Sequence, residues 1–221
     1  LCDIPDLGGG REALLAKKAE LIDAANATQP RLVSRGGGAV DLQVRPFPST
    51  REGAMLVVHL LVDVRDAMGA NMVNTMVESI ADQCAKLSGG SPHLRILSNL
   101  AAHRLVHATG RVPLTLLDRA SKTLSGAEVA QRVERASVFA EVDPYRATTH
   151  NKGFMNGVDA FLIAMGQDWR AVEAGAHAYA AQGGHYTALA TWRVVGDELV
   201  GSTSLPMQVG TVGGIIPVHP Q

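Results

Sequence analysis

Cysteine, aromatic side chains and charge of one sign are all in short supply in this chain, and each shortage removes a class of protein. Two cysteines occur, Cys2 and Cys84, in neither a metal-type nor a CxxC spacing. They build no disulfide framework and no thiolate metal site, so a reducing compartment, the cytoplasm, is expected. Aromatic residues make up 4% of the 221 residues, and 20 basic residues nearly cancel 21 acidic ones. Neither a base-stacking surface nor a basic footprint for nucleic acid follows from that balance. No apolar run reaches the roughly 18 residues that span a membrane. The longest, Ala54 to Val62, is interrupted by His59 and is strand-sized. No signal peptide is visible. The chain starts at Leu1 rather than methionine, and Ile215 to Gln221 follow a glycine-rich turn with no closing element. Both ends are therefore expected to be cut.

What remains is a globular composition, 46% hydrophobic and 19% charged. Arg11 to Ala27 places Leu14, Leu15, Ala19 and Ile22 at helical spacing, after Gly8 to Gly10. Val40, Leu42 and Val44 alternate with Asp41, Gln43 and Arg45, a half-buried strand that Pro46 and Pro48 are expected to end. Ala54 to Val64 reads as a buried strand, joined to the first by a short turn at Glu52-Gly53 and hence antiparallel to it. Asn71 to Leu87 reads as a helix with Val73, Met76, Val77, Ile80 and Cys84 on one face, stopped by Ser88-Gly89-Gly90. Leu94 to Leu97 reads as a short strand. Helix, strand, strand, helix, strand is a layered helix-and-sheet unit and not a Rossmann unit; one more strand before Leu1 would complete a βαββαβ pattern.

Past Asn99 the character changes, and a domain boundary is expected near residue 100. The segment from Ala101 to Ser125 gives no clear element. Helices are expected over Ala127 to Val142, Thr148 to Met165 and Asp168 to Ala181. A hairpin turned at Gly196-Asp197 follows, over Thr187 to Val195 and Glu198 to Ser204.

Four segments carry candidate chemistry. Asp63 to Asn71 (DVRDAMGAN) lies where a strand hands over to a helix. A glycine there admits a ligand to the backbone, and the amides of the helix start suit a phosphate. Such junctions are more often plain structure, and this one lacks GxGxxG. Thr149 to Gly157 (THNKGFMNG) sets Lys152 and Asn156 four apart, on one side of an apolar helix. Turned inward they are costly without partners; turned outward the lysine is an ordinary surface residue. Gly166 to His177 (GQDWRAVEAGAH) begins with Asp168, which fits a helix cap as well as a site carboxylate. Gly210 to Gly214 (GTVGG) is a turn or a ligand cradle.

Together, in this order and spacing, DAMGAN, HNKGFMNG, DWRAVEAGAH and GTVGG resemble the class II hydroxymethylglutaryl-CoA (HMG-CoA) reductases over essentially the whole chain. The resemblance implies an α+β fold. In it a small non-Rossmann nucleotide-binding domain, an antiparallel sheet with helices on one face (residues 1–100), is inserted into a larger mixed α/β domain for the CoA substrate (101–221). It implies a cytoplasmic oxidoreductase of the mevalonate pathway that converts the HMG-CoA thioester to mevalonate and coenzyme A with two nicotinamide dinucleotides, or runs in reverse. It implies a homo-oligomer with the site at a subunit interface, and no membrane or nucleic-acid partner. Lys152 matches the catalytic lysine and Asp168 the catalytic aspartate beside it. Asp66, Met68, Gly69 and Asn71 match the dinucleotide contacts, and Arg146, Asn99 and Asn156 the substrate pocket. No metal is implied. NADH-using members carry an acidic residue where this chain has Gln29, close to Arg31 and Arg35. Gln29 and Arg31 are therefore the expected cofactor-selecting residues, with NADPH favoured over NADH. The family's proton-donating glutamate and mobile C-terminal histidine have no counterpart here, so this stretch alone is expected to be inactive. The competing expectation is a nucleotide-binding module without chemistry.

Overall fold

The computed structural model describes residues 1–213 and divides into two compact units. Leu1–Leu97 form the first, joined by Gly210–Val212. Its elements are α1 (Leu7–Ala16), α2 (Lys18–Ala27), the single turn α3 (Pro30–Val33), β1 (Gly38–Thr50), β2 (Gly53–Asp63) and α4 (Ala70–Ser88).

β1 and β2 form an antiparallel ribbon, with Leu42 opposite Leu60 and Val44 opposite Val58. The ribbon is half-buried rather than buried as β2 was expected to be, since Leu56 is the one buried residue of β2. Leu14, Leu21 and Ala25 from α1 and α2, Leu42, Val44 and Leu56 from the ribbon, and Met76, Ile80 and Cys84 from α4 make one core. Each fully buried leucine or methionine contributes roughly 1.5–3 kcal/mol. An exposed ion pair such as Lys17–Glu20 contributes about 0–1 kcal/mol. Apolar contact, not surface charge, therefore holds the helices to the ribbon.

Five expectations are corrected here. The first helix starts at Leu7, ahead of the glycine run, because the Asp6 carboxylate accepts the Gly8 and Gly9 N–H groups at 3.1 and 3.0 Å. It also breaks in two at Lys17. Pro46 and Pro48 do not end β1. Among the described residues β1 pairs with β2 alone, so its other edge tolerates a missing N–H. Strict alternation also fails, because a bulge between Ala39 and Asp41 leaves Val40 outside and Ala39 within. Leu94 to Leu97 is no strand. Leu94 and Ile96 are 80% and 65% exposed, and the Leu97 N–H goes to the Asn74 side chain at 2.9 Å.

The second unit comprises Ser98–Val209 and the chain from Gly213 on, of which the structure describes Gly213 alone. Its elements are β3 (Leu105–Pro113), the short α5 (Leu114–Leu117), α6 (Gly126–Val142), α7 (Pro144–Ala164), α8 (Trp169–Ala180), β4 (Ala190–Val195) and β5 (Glu198–Pro206). The strands form an antiparallel sheet in the order β3-β5-β4, with the expected hairpin turn at Gly196. β3 fills the segment that showed no element. Nearly all its residues are exposed, so the sequence carries no buried-face alternation there. Both units are α+β with antiparallel pairing.

Each helix of the second unit starts on a local signal. Ser125 and Glu128 form a reciprocal capping box at α6. Asp143 caps α7 with Pro144 in its first turn, so this helix begins four residues before the expected Thr148. α6 is clasped to β4 by Glu141, whose carboxylate takes both arms of Arg193 at 2.8 and 2.5 Å and the Ser137 hydroxyl at 3.0 Å. The Arg193 hydrogen bond, helped by that of Ser137, holds the Glu141 carboxyl below its ordinary pKa against a smaller opposing effect of burial. A depressed carboxylate stabilises the fold above the pKa of the unfolded residue, roughly 4.3, and that contribution disappears as pH falls through the lower folded value. Glu141→Gln should cost about 1 kcal/mol at neutral pH, discounting for the half-exposed Arg193. The deficit should shrink below pH 4 in urea melts; a pH-independent deficit would assign it to packing instead.

No helix among the described residues is long and apolar enough to cross a membrane.

Candidate active site

Two clusters hold the candidate residues, one in each unit. In the first, β2 ends at Asp63 and the chain turns through Val64 to Gly69 into α4. Gly69 takes φ 95°, and a Cβ there would run into the Val64 side chain, so glycine is required on both counts. Among the described residues no side chain caps α4, which leaves the start of a helix of 19 residues without an internal acceptor for its first amides. Asp66 and Asn71 are exposed and Met68 is half-buried. The far end of the chain backs this turn. Thr211 N–H donates to the Asp66 carbonyl at 2.8 Å, and a Cβ on Gly210 would lie 2.7 Å from the Met68 nitrogen. Two of the four motifs are thus in contact across 145 positions of sequence. Gly214, the last residue of GTVGG, lies outside the described residues. Gln29 precedes α3 and Arg31 is exposed within it. Among the described residues, no ion pair occupies Arg31 or Arg35.

In the second unit α7 presents Lys152 and Asn156 on its exposed side. The amide that points inward is Asn151, which the sequence reading did not single out. It is fully buried, donates to the Thr187 carbonyl at 2.9 Å and accepts the Leu189 N–H at 2.8 Å. His150 Nε2 adds a contact to the Ala190 carbonyl at 2.9 Å. The signal for Asn151 was there, an amide amid apolar helix residues. Lys152 and Asn156 carried the same signal, and the helix period alone did not say which face was covered. The outward lysine has no ion-pair or hydrogen-bond partner among the described residues. Arg146 sits half-buried in the first turn of α7.

Asp168 caps α8, accepting the Ala171 N–H at 3.1 Å. It also lines an open cavity of about 280 Å³ with Asn99, Arg170 and Ala171. Asn99 is fixed there by the Gln208 side chain, whose Nε2 donates to its Oδ1 at 3.0 Å. The Asn99 carbonyl would lie 2.5 Å from a Cβ on Gly175, so α8 approaches that backbone closely. The structure therefore brings Asp168 and Asn99 to one cavity, and adds Arg170 and, through Asn99, Gln208, which were missed.

It does not bring Lys152 beside Asp168. The Gln167 N–H is bonded to the Leu162 carbonyl at 2.8 Å, which anchors Asp168 near the end of α7. Lys152 lies ten residues earlier on the same helix, roughly 15 Å at 1.5 Å per residue. Side chains on a helix also lean toward its N-terminus. The separation exceeds what the two side chains span.

Residues 2–221 match the family model described as hydroxymethylglutaryl-coenzyme A reductase. The chain is 48% identical over 208 residues to the 3-hydroxy-3-methylglutaryl-coenzyme A reductase of Archaeoglobus fulgidus, covering 94% of this chain and 46% of that one. It is 33% identical over 182 residues to the probable reductase of Borreliella burgdorferi, covering 82% and 41%. A solved reductase of Streptococcus pneumoniae superposes with a TM-score of 0.92 at 46% identity, over 99% of this chain and 58% of that one. The class II enzyme of Streptococcus pneumoniae bound to NADPH in open conformations matches with a TM-score of 0.91, at the same identity and coverage. The chain spans about half the length of the curated relatives it matches. A match to the family model over nearly every residue, together with the shared fold, places this chain in the hydroxymethylglutaryl-coenzyme A reductase family.

Proposed function

We propose that the protein to which this chain belongs reduces the HMG-CoA thioester to mevalonate and coenzyme A with NADPH, or runs the reverse reaction. The observation that carries this is Lys152, an exposed ammonium with no partner among the described residues, on a helix whose buried face is locked by Asn151. Reduction of a thioester puts negative charge on its carbonyl oxygen. A fixed cation aimed at that oxygen stabilises the transition state, often as the largest single contribution. Asp168 supplies the carboxylate that orients the lysine, and Asn99, Arg146 and Asn156 hold the substrate's polar groups.

The residues of the first unit fit a dinucleotide. The uncapped start of α4 offers backbone amides to a phosphate, and Asp66, Met68, Gly69 and Asn71 border it. Gln29 brings no charge to repel a 2′-phosphate, and the exposed Arg31 and Arg35 attract one, which favours NADPH over NADH. The related enzyme solved with NADPH supports the same choice. When bound, the reduced nicotinamide supplies hydride; the chain's part is to hold and orient it.

Lys152 and Asp168 stand too far apart within one chain to act on one oxygen. We therefore place the working site between copies of a homo-oligomer, with the lysine of one copy facing the aspartate of another. Both cysteines, Cys2 and Cys84, are free thiols, which suits a cytoplasmic protein.

The test uses the full-length protein. Asp168→Asn keeps a helix cap and removes the charge, so the unfolding midpoint should hold within about 0.5 kcal/mol while kcat falls about 100-fold. Mixed with an equally impaired Lys152→Ala protein, Asp168→Asn should regain turnover, because a mixed pair contains one intact site. No recovery on mixing would place both residues in one chain's site, and undiminished kcat would remove Asp168 from the chemistry.

A further inference from the structure

We propose that Arg65 is a positioning residue that locks the two halves of the nucleotide site into one piece; this rests on the cofactor reading above. The halves are far apart in sequence. Gln29 and Arg31 lie at α3, and Asp66 to Asn71 lie beyond β2. What lies between them in space is the glycine strip Gly36 to Gly38, which links α3 to β1.

Arg65 closes the gap. Its Nη2 donates to the Gly36 carbonyl. Its Nη1 lies 3.6 Å from the Asp63 carboxylate, and its backbone N–H donates to the same carboxylate at 2.9 Å. The strip has no room to shift. A Cβ on Gly37 would lie 2.7 Å from both the Asp63 carbonyl and the Leu32 side chain. On its far side, Asn26 grips Ala39 with two bonds, accepting its N–H at 2.7 Å and donating to its carbonyl at 3.2 Å. α3, the strip and the turn that opens into Asp66 are thus one packed body, and the Arg65 guanidinium is the side-chain link between them.

The backbone of Arg65 points the same way. Its φ is 53°, the left-handed region that long side chains rarely occupy. Such a conformation persists only where the surroundings impose it, and it clusters at sites of function. Here it turns the guanidinium back over the glycine strip. The arginine is 49% exposed and its Asp63 partner 42%, and ion pairs so exposed add little to stability. The contact is better explained by geometry than by stability. It fixes the distance between the cations proposed to take the 2′-phosphate and the helix start proposed to take the diphosphate.

The experiment is a titration of the full-length protein with NADPH, paired with steady-state kinetics. Arg65→Ala should raise the Kd and KM for NADPH about tenfold, and leave kcat and the KM for HMG-CoA within twofold of wild type. Gly36→Ala, whose Cβ would meet the guanidinium at 2.8 Å, should weaken NADPH binding from the other side. The double variant should be less than additive. Arg65→Lys keeps the charge and stem but has no fork to reach both Gly36 and Asp63. It should fall between the two with an unchanged melting midpoint, and it carries the test if Arg65→Ala melts early. A wild type that fails to bind NADPH overturns the cofactor reading itself. A wild type that binds, with Arg65→Ala and Arg65→Lys binding equally well, overturns the role given to Arg65.

Discussion

Lys152→Ala, made in the full-length protein, is expected to lower kcat for HMG-CoA reduction by about 100- to 1,000-fold with little change in NADPH affinity. Lys152 is exposed and makes no hydrogen bond or ion pair among the described residues, so its removal should change stability by no more than about 0.5 kcal/mol. That separation makes the variant informative. A loss of turnover without a loss of fold reads directly as a missing interaction in the transition state. If the variant keeps wild-type kcat, the lysine is a surface residue and the oxyanion role passes elsewhere.

The second large effect concerns the residue next to it. Asn151→Ala removes a fully buried side chain that serves one backbone acceptor and one backbone donor. The part-buried Thr187 carbonyl and the buried Leu189 N–H then lose their partner. Each such group costs about 1–3 kcal/mol, so a loss of roughly 2–4 kcal/mol in chemical denaturation is expected. Turnover should fall too, because the pairing of α7 with the 187–190 segment sets the direction of its opposite face. A shift below about 0.5 kcal/mol would mean that water replaces the amide and that α7 is held by its apolar contacts, chiefly Met155.

Much of this was legible in the sequence where the chain itself carries the signal. α4 shows the helical period of Met76, Ile80 and Cys84, and the hairpin announces its turn at Gly196-Asp197. The cap at Asp168 is legible because capping is local chemistry. The misses share a different cause. β3 is exposed along nearly its whole length, so no alternation marked it. Pro46 and Pro48 end a strand only when the missing N–H faces a partner, and nothing local says that it does not. Leu94 to Leu97 has a strand's composition, but an apolar run becomes a strand only with a neighbour to pair with. The site divides along the same line. The motifs named Lys152, Asp168 and Asp66, which are matters of residue type. That Thr211 backs Asp66, that Asn151 is the inward amide, and that Lys152 and Asp168 stand apart are matters of packing between distant segments.

Turnover by the unmodified full-length protein decides between a reductase and a nucleotide-binding module. NADPH oxidation is followed in the presence of HMG-CoA, with released coenzyme A counted by its thiol. The expected result is HMG-CoA-dependent oxidation of two NADPH for each coenzyme A released, faster with NADPH than with NADH. A folded protein that binds NADPH yet oxidises none when HMG-CoA is added would contradict the reductase and leave a binding module in its place.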